Sequence, residues 1–268
     1  CSSVMGVDAL LALVHGAFAD ECARYAAGGT DWRGMEAALF AVRVLARCVD
    51  VAEHTDVLPR SLARILARIP ALPPVPLLQY TAILVVGRYA EWLRKNPASL
   101  APLLPFVTAA LAEPARQDAA ALAFQRVCLA CPGALAAHAP DFLRVYQSCC
   151  AEWALGDAEC DQVVCGLGCV FRHDPAATLS TLVATLRTFA RADVAAVQAA
   201  RRSGLSPPSA CFRRLGTLVR AFLPQRGERT FVCACCAAVG GEADSRTGLV
   251  AEWWGALARP FLAAFAAL

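Results

Sequence analysis

Helical periodicity runs through this chain in pairs, a longer helix followed by a shorter one, and the pairs return at a nearly constant interval. Asp31 and Trp32 open a helix whose apolar face runs through Met35, Leu39, Val42 and Ala46, with Arg43 and Arg47 on the wet side and an end near Asp50. A shorter helix from Pro59 to Ile69 follows, with Pro59 in a permitted first-turn position, Pro70 as its stop, and Leu62, Ile65, Leu66 and Ile69 as its buried stripe. The next long helix, Pro76 to Lys95, carries Leu77, Tyr80, Thr81, Leu84, Val85, Tyr89 and Trp92 at helical spacing and closes at Asn96-Pro97. Its partner runs from Leu100 to Ala112. Pro114 to Ala130 then pairs with Leu135 to Cys149, Asp157 to His173 with Pro175 to Arg202, and Pro207 to Leu223 with Gly248 to Leu268. The first helices open near residues 32, 76, 115, 157 and 207, giving spacings of 44, 39, 42 and 50. Two helices per unit at roughly 40–47 residues is the HEAT or armadillo signature, whereas TPR and ankyrin units recur near 34 and 33.

The expected fold is therefore all-α, a HEAT-repeat α-solenoid built as a superhelical stack of antiparallel helix pairs. One continuous array spans 1–268, with repeats at about 31–70, 76–112, 114–150, 157–202 and 207–268. Val7 to Ala27 reads as a helix of the preceding unit. Gln225 to Thr247, rich in Gly, Ala, Cys and charge, reads as a loop insertion, with Phe231 to Val239 as a potential short helix. The missing initiator Met and the end at Leu268 inside an apolar helical pattern lead us to expect a fragment of a longer protein.

Composition agrees. The chain is 58% hydrophobic and 18% charged, against roughly 45–50% and about 25% in average soluble domains, so it is shifted toward burial. A solenoid needs that excess, because each helix pair is sandwiched between two others. The mean hydropathy of +0.49 is not a membrane signal. The longest uncharged run, Ile69 to Gly87, contains four prolines, and what remains is shorter than the ~20 residues a span needs. Cys1 to Gly16 has no basic stretch ahead of an apolar one, so no signal peptide is expected. A net charge of +3 carries no nucleic-acid signature. Only Lys95 among the 25 basic residues is lysine, which with abundant Ala, Gly and Pro has the look of a GC-rich genome.

Several constellations bear on chemistry. Arg60, Arg64 and Arg68 lie at i, i+4 and i+8, one positive stripe opposite the Leu/Ile face of their helix. Arg187 and Arg191 repeat the spacing on another short helix, and Arg201 with Arg202 stands at its exit. The stripe suits bidentate grip of carboxylates or phosphates, and it equally suits a plain solvated face. Cys165, Cys169 and His173 share the i, i+4, i+8 spacing, and Cys128 with Cys131 makes a CxxC. A zinc site needs about four converging ligands, and no second pair lies at ribbon spacing, so these read as buried thiols. Cys233, Cys235 and Cys236 in the insertion are a redox or metal candidate without a nearby His. Trp253 and Trp254 point about 100° apart on a helix, so only one sits squarely in a core. No nucleophile elbow, P-loop or dinucleotide fingerprint is present, and the four His stand in unrelated contexts. We expect no catalytic residues, no metal and no cofactor.

The order of motifs resembles a known family. Asp31-Trp32-Arg33-Gly34-Met35-Glu36-Ala37-Ala38-Leu39-Phe40 is similar to the tryptophan-led helix found mid-chain in the transportin-SR family, nuclear import receptors of the importin-beta superfamily. Tyr80-Thr81-Ala82-Ile83-Leu84-Val85-Val86-Gly87, then Lys95-Asn96-Pro97, resembles the family's tyrosine-threonine helix, its glycine and its closing Asn-Pro. Ala119 to Cys131 looks like the next repeat's alanine-rich helix, and Phe212-Arg213-Arg214-Leu215 and Trp254-Gly255-Ala256-Leu257 fall where the family has similar residues. The resemblance implies a karyopherin that binds protein cargo, typically serine/arginine-rich splicing factors, and releases it to Ran-GTP. It further implies contact with nucleoporins, shuttling between nucleus and cytoplasm, and no direct nucleic-acid binding or membrane insertion. In such solenoids the second helix of each pair lines the concave side, which would turn Arg60, Arg64 and Arg68 toward the groove. The chain departs from the family in extent. The family's arginine-rich cargo helix would follow Leu268, and Ran's main docking repeats would precede Val7. A HEAT scaffold or adaptor outside nuclear transport is the other reading of the same pattern.

Overall fold

A computed structural model describes residues 6–48, 57–139, 141–142, 144–145, 155–173, 195 and 198–205. Among the described residues there is no strand. The helices are α1 (Val7–Ala26), α2 (Arg33–Leu45), α3 (Val57–Arg68), α4 (Pro76–Arg88), α5 (Ala90–Lys95), α6 (Leu103–Ala110), α7 (Gln117–Ala130), α8 (Pro132–Leu135) and α9 (Asp157–His173). Short 3-10 turns lie at Ile69–Ala71, Pro97–Ser99 and Ala136–His138. The chain divides into two compact units, one holding Cys1–Ala134 with Cys149–Leu155 and the other Leu135–Ser148 with Gly156–Leu268. The loop insertion at 225–247, Cys233, Cys235, Cys236, Trp253, Trp254, Arg187, Arg191 and the fifth repeat from 207 lie outside the described residues.

In the first unit, the longer helices form a row. α2 packs on α4 and α4 packs on α7, while α1 lies against both α2 and α3, and α6 lies against α7. α2, α4, α7 and α9 begin at residues 33, 76, 117 and 157, so the long helices recur at the interval read from the sequence. Local chemistry explains the boundaries. α1 ends in a Schellman arrangement: the Gly28 N–H donates to the Tyr25 carbonyl (3.1 Å) and the Gly29 N–H to the Arg24 carbonyl (3.1 Å), with Gly28 at φ +100°. α4 begins with Pro76 in its first turn after an extended Val75. Asn96 closes α5, its Nδ2 donating to the Trp92 carbonyl at 3.0 Å, at the Asn-Pro stop expected from the sequence.

α3 buries the stripe that its periodicity predicts, with Leu62, Ile65, Leu66 and Ile69 fully sequestered. At about 1.5–3 kcal/mol for each fully buried large aliphatic side chain, this stripe is what holds the short helix in place. α4 differs from expectation in two ways. It is buried nearly all round, from Thr81 to Gly87, because α2 covers one flank and α7 the other. Its first apolar residue, Leu77, belongs instead to the outer side and is 54% exposed, while Leu78 takes the core position. The predicted single helix from Pro76 to Lys95 is also two helices, broken at Tyr89 (φ −98°, ψ 21°). The Tyr89 hydroxyl there donates to the Val42 carbonyl of α2 at 2.9 Å.

The α4–α7 seam is made of small residues. Ala119, Ala120, Ala121 and Ala123 of α7 are all buried, and a Cβ added at Gly87 would lie 2.8 Å from the Ala123 Cα. Polar ties reinforce the row. Thr81 Oγ1 donates to Glu36 Oε1 (2.9 Å), Tyr80 Oη to Asp118 Oδ2 (2.8 Å), and the half-turned-in Arg116 to Gln79 Oε1 while pairing with Glu113.

In the second unit, α9 spans the residues predicted for it and packs against the 136–138 turn. Cys160, Val163, Val164, Leu167, Cys169, Val170 and Phe171 form its buried side. Phe142 is buried, and the His138 ring stands 6.2 Å from it. No single helix among the described residues is long and apolar enough to cross a membrane.

Candidate partner-binding surfaces

Two arginine sets stand out in the first unit. The first is the α3 stripe. Burial of Leu62, Ile65 and Leu66 fixes the helix rotation, and Arg60, Arg64 and Arg68 come out exposed on the other side. None of the three has an ion-pair or hydrogen-bond partner among the described residues, unlike Arg24, Arg33, Arg94, Arg116 and Arg144, each of which pairs with a nearby carboxylate. α1 borders the stripe. His15 is held below the usual imidazole range, first by burial and then by Arg64 and Arg68, so it is neutral at neutral pH. The Cys22 thiol is pushed up by burial, against an opposing pull from Arg68.

Arg201 and Arg202 are exposed on a helical turn of the second unit, where Arg202 Nε donates to the Gln198 carbonyl at 3.3 Å. Arg187 and Arg191 lie outside the described residues.

The second set was not singled out from the sequence. Arg43 of α2, Arg88 of α4 and Arg126 of α7 come from the three stacked long helices, and the charges of Arg88 and Arg43 both bear on Arg126. Arg126 is half-buried, and its guanidinium is pushed down by burial, then by Arg88, then by Arg43. All three lack an ion-pair partner among the described residues. The signal available was the repeat itself, since 43, 88 and 126 are separated by 45 and 38 residues, close to one period.

Of the described cysteines, Cys128, Cys131, Cys160 and Cys169 are buried as small core groups, while Cys48 is exposed. Cys128 and Cys131 are buried, and the Cys131 thiol donates to the Ala90 carbonyl at 3.6 Å. Its pKa is pushed up to about 11, by burial first and Glu91 second, the opposite of what a nucleophile or metal ligand needs. On α9, Cys165 is half-buried, Cys169 buried and His173 exposed, so that series does not converge. Among the described residues, no three His, Cys, Asp or Glu side chains gather as a metal site.

An all-α repeat array offering unpaired charge on open helical faces defines a class, the helical-repeat binding proteins. Residues 55–145 match the family described as the Transportin-3/Importin-13 third TPR domain. The chain is 29% identical over 147 residues to Transportin MOS14 of Arabidopsis thaliana, covering 53% of this chain and 15% of that protein. It is 37% identical over 76 residues to the mRNA transport regulator MTR10 of Saccharomyces cerevisiae, 28% of this chain and 7% of that protein. An uncharacterized protein of Schizosaccharomyces pombe is 36% identical over 109 residues, 40% of this chain and 11% of its own. The chain is thus similar to these transport proteins over part of its length, and its matches span no more than about a sixth of each of these relatives.

Proposed function

We propose that the protein is a nuclear transport receptor of the transportin-SR type, acting by binding and without catalysis, metal or cofactor. It carries Arg/Ser-rich protein cargo, releases it to Ran-GTP, meets nucleoporins in transit, and shuttles between cytoplasm and nucleus. The observation that carries this reading is the match of residues 55–145 to the Transportin-3/Importin-13 domain. That interval contains the α3 stripe. Its array of helix pairs, continuous from 1 to 268 in this reading, presents charged faces whose curvature changes by small rotations per repeat. Arg60, Arg64 and Arg68, with Arg187, Arg191, Arg201 and Arg202, supply positive charge for acidic or phosphorylated groups on a partner.

The test uses the full-length receptor and a phosphorylated Arg-Ser-rich protein in a pull-down, with and without GTP-loaded Ran. Loss of cargo on adding Ran is the expected result. Cargo retention indifferent to Ran would overturn the import reading and favour a scaffold.

A further inference from the structure

We infer that the outer face of the α2–α4–α7 row, carrying Arg43, Arg88 and Arg126, docks an extended acidic peptide that crosses the three helices. This inference does not rest on the import reading.

Three observations combine. First, none of the three charges has an ion-pair partner among the described residues. Five other arginines of the described residues each pair with a carboxylate two or three positions away. Residues 39, 40, 46 and 47 around Arg43, and 122, 123, 129 and 130 around Arg126, include no acid, and Glu91 beyond Arg88 is taken by Arg94. The Asp118 carboxylate of α7 accepts from Tyr80. Second, the stacking of α2 on α4 and α4 on α7 sets the charges of Arg43 and Arg88 near the half-buried Arg126, so an anion bound there would relieve repulsion at Arg126. Third, the charges are interleaved with exposed apolar side chains. Phe40 (52% exposed) lies one turn before Arg43, and Leu129 (50% exposed) lies one turn after Arg126.

Spacing selects the ligand. Packed helices stand about 8–10 Å apart, and a peptide in the polyproline II conformation rises about 3.1 Å per residue with three residues per turn, so that every third side chain shares one face. Acidic residues at every third position therefore place one carboxylate over each arginine, and the residues between them meet the apolar flanks. A nucleic-acid strand offers no counterpart to Phe40 and Leu129 at the helix spacing.

The experiment is fluorescence anisotropy of the full chain with a labelled 12-residue peptide carrying Glu at every third position and Leu or Phe between, beside the same peptide with Gln for Glu. The Glu peptide should bind at least about tenfold more tightly, and the preference should shrink as salt rises. Arg43→Gln, Arg88→Gln and Arg126→Gln together should abolish the preference, whereas Arg24→Gln, at a residue whose charge is already paired with Glu21, should leave it intact. Should the first triple variant lose helical content, Arg88→Glu alone, at an exposed position, should still weaken binding about threefold or more. Equal binding of the two peptides, unchanged binding in Arg88→Glu, or tighter binding of a single-stranded oligonucleotide than of the Glu peptide would each overturn the inference.

Discussion

Gly87 shows how one missing carbon sets a packing distance. Alanine there would gain up to ~1 kcal/mol of helix propensity, yet its methyl would stand 2.8 Å from a backbone atom of α7 that cannot rotate aside. Overpacking of this kind typically costs about 1–3 kcal/mol, so the steric effect wins. Gly87→Ala should lower the melting temperature, and a thermal melt showing no change or a rise would disprove the close seam. Tyr89→Phe is a gentler case. The Val42 carbonyl keeps a second donor, the Ala46 N–H at 3.2 Å, so the loss should fall near 0.5–1.5 kcal/mol, readable by urea denaturation. Cys131 gives a pH signature. Burial raises its thiol from its ordinary value of 9.0 to about 11, so above pH 9 the unfolded chain releases a proton that the folded chain keeps. Stability from this group is intact below pH 9 and declines as pH rises toward 11. Melts between pH 8 and 10.5 should fall more steeply for the wild type than for Cys131→Ala.

At the scale of the element, the best-read helices were those whose rotation is fixed by one apolar stripe. α3 buries Leu62, Ile65, Leu66 and Ile69 as its spacing requires, and α9 begins and ends where Asp157 and His173 were placed. α4 was harder for a physical reason. When a helix has neighbours on several sides, almost every residue is buried and the 3.6-residue rhythm stops marking a face, so Leu77 and Leu78 could not be told apart. The break at Tyr89 was hidden too, since its hydroxyl partner lies 47 residues away. The Arg60, Arg64 and Arg68 stripe was legible because i, i+4, i+8 lies within one helix. Arg43, Arg88 and Arg126 meet only once three helices are stacked, so no single window of sequence contained them. Leu66→Ala removes a fully buried side chain from α3 and should cost about 2–5 kcal/mol. Hydrogen exchange should then show protection falling in α3 and its neighbour α1 more than in α7. Uniform loss across all three would contradict nearest-neighbour stacking.

For the molecule as a whole, the interval between helix pairs carried the architecture, and the helices of both units follow it as far as they are described. What the interval could not convey is how stiff each joint is. The α2–α4 contact includes the long Glu36 side chain reaching Thr81, and such side chains can change rotamer while a tie is kept. The α4–α7 contact has the Tyr80–Asp118 tie as well, but its seam sets glycine against alanine at backbone distance, where there is no side chain to rearrange. Bending of the first unit must therefore be taken up on the α2 side, with α4 and α7 travelling as one block. A hinge between α2 and α4 would swing Arg43 relative to Arg88 while leaving Arg88 and Arg126 at constant separation.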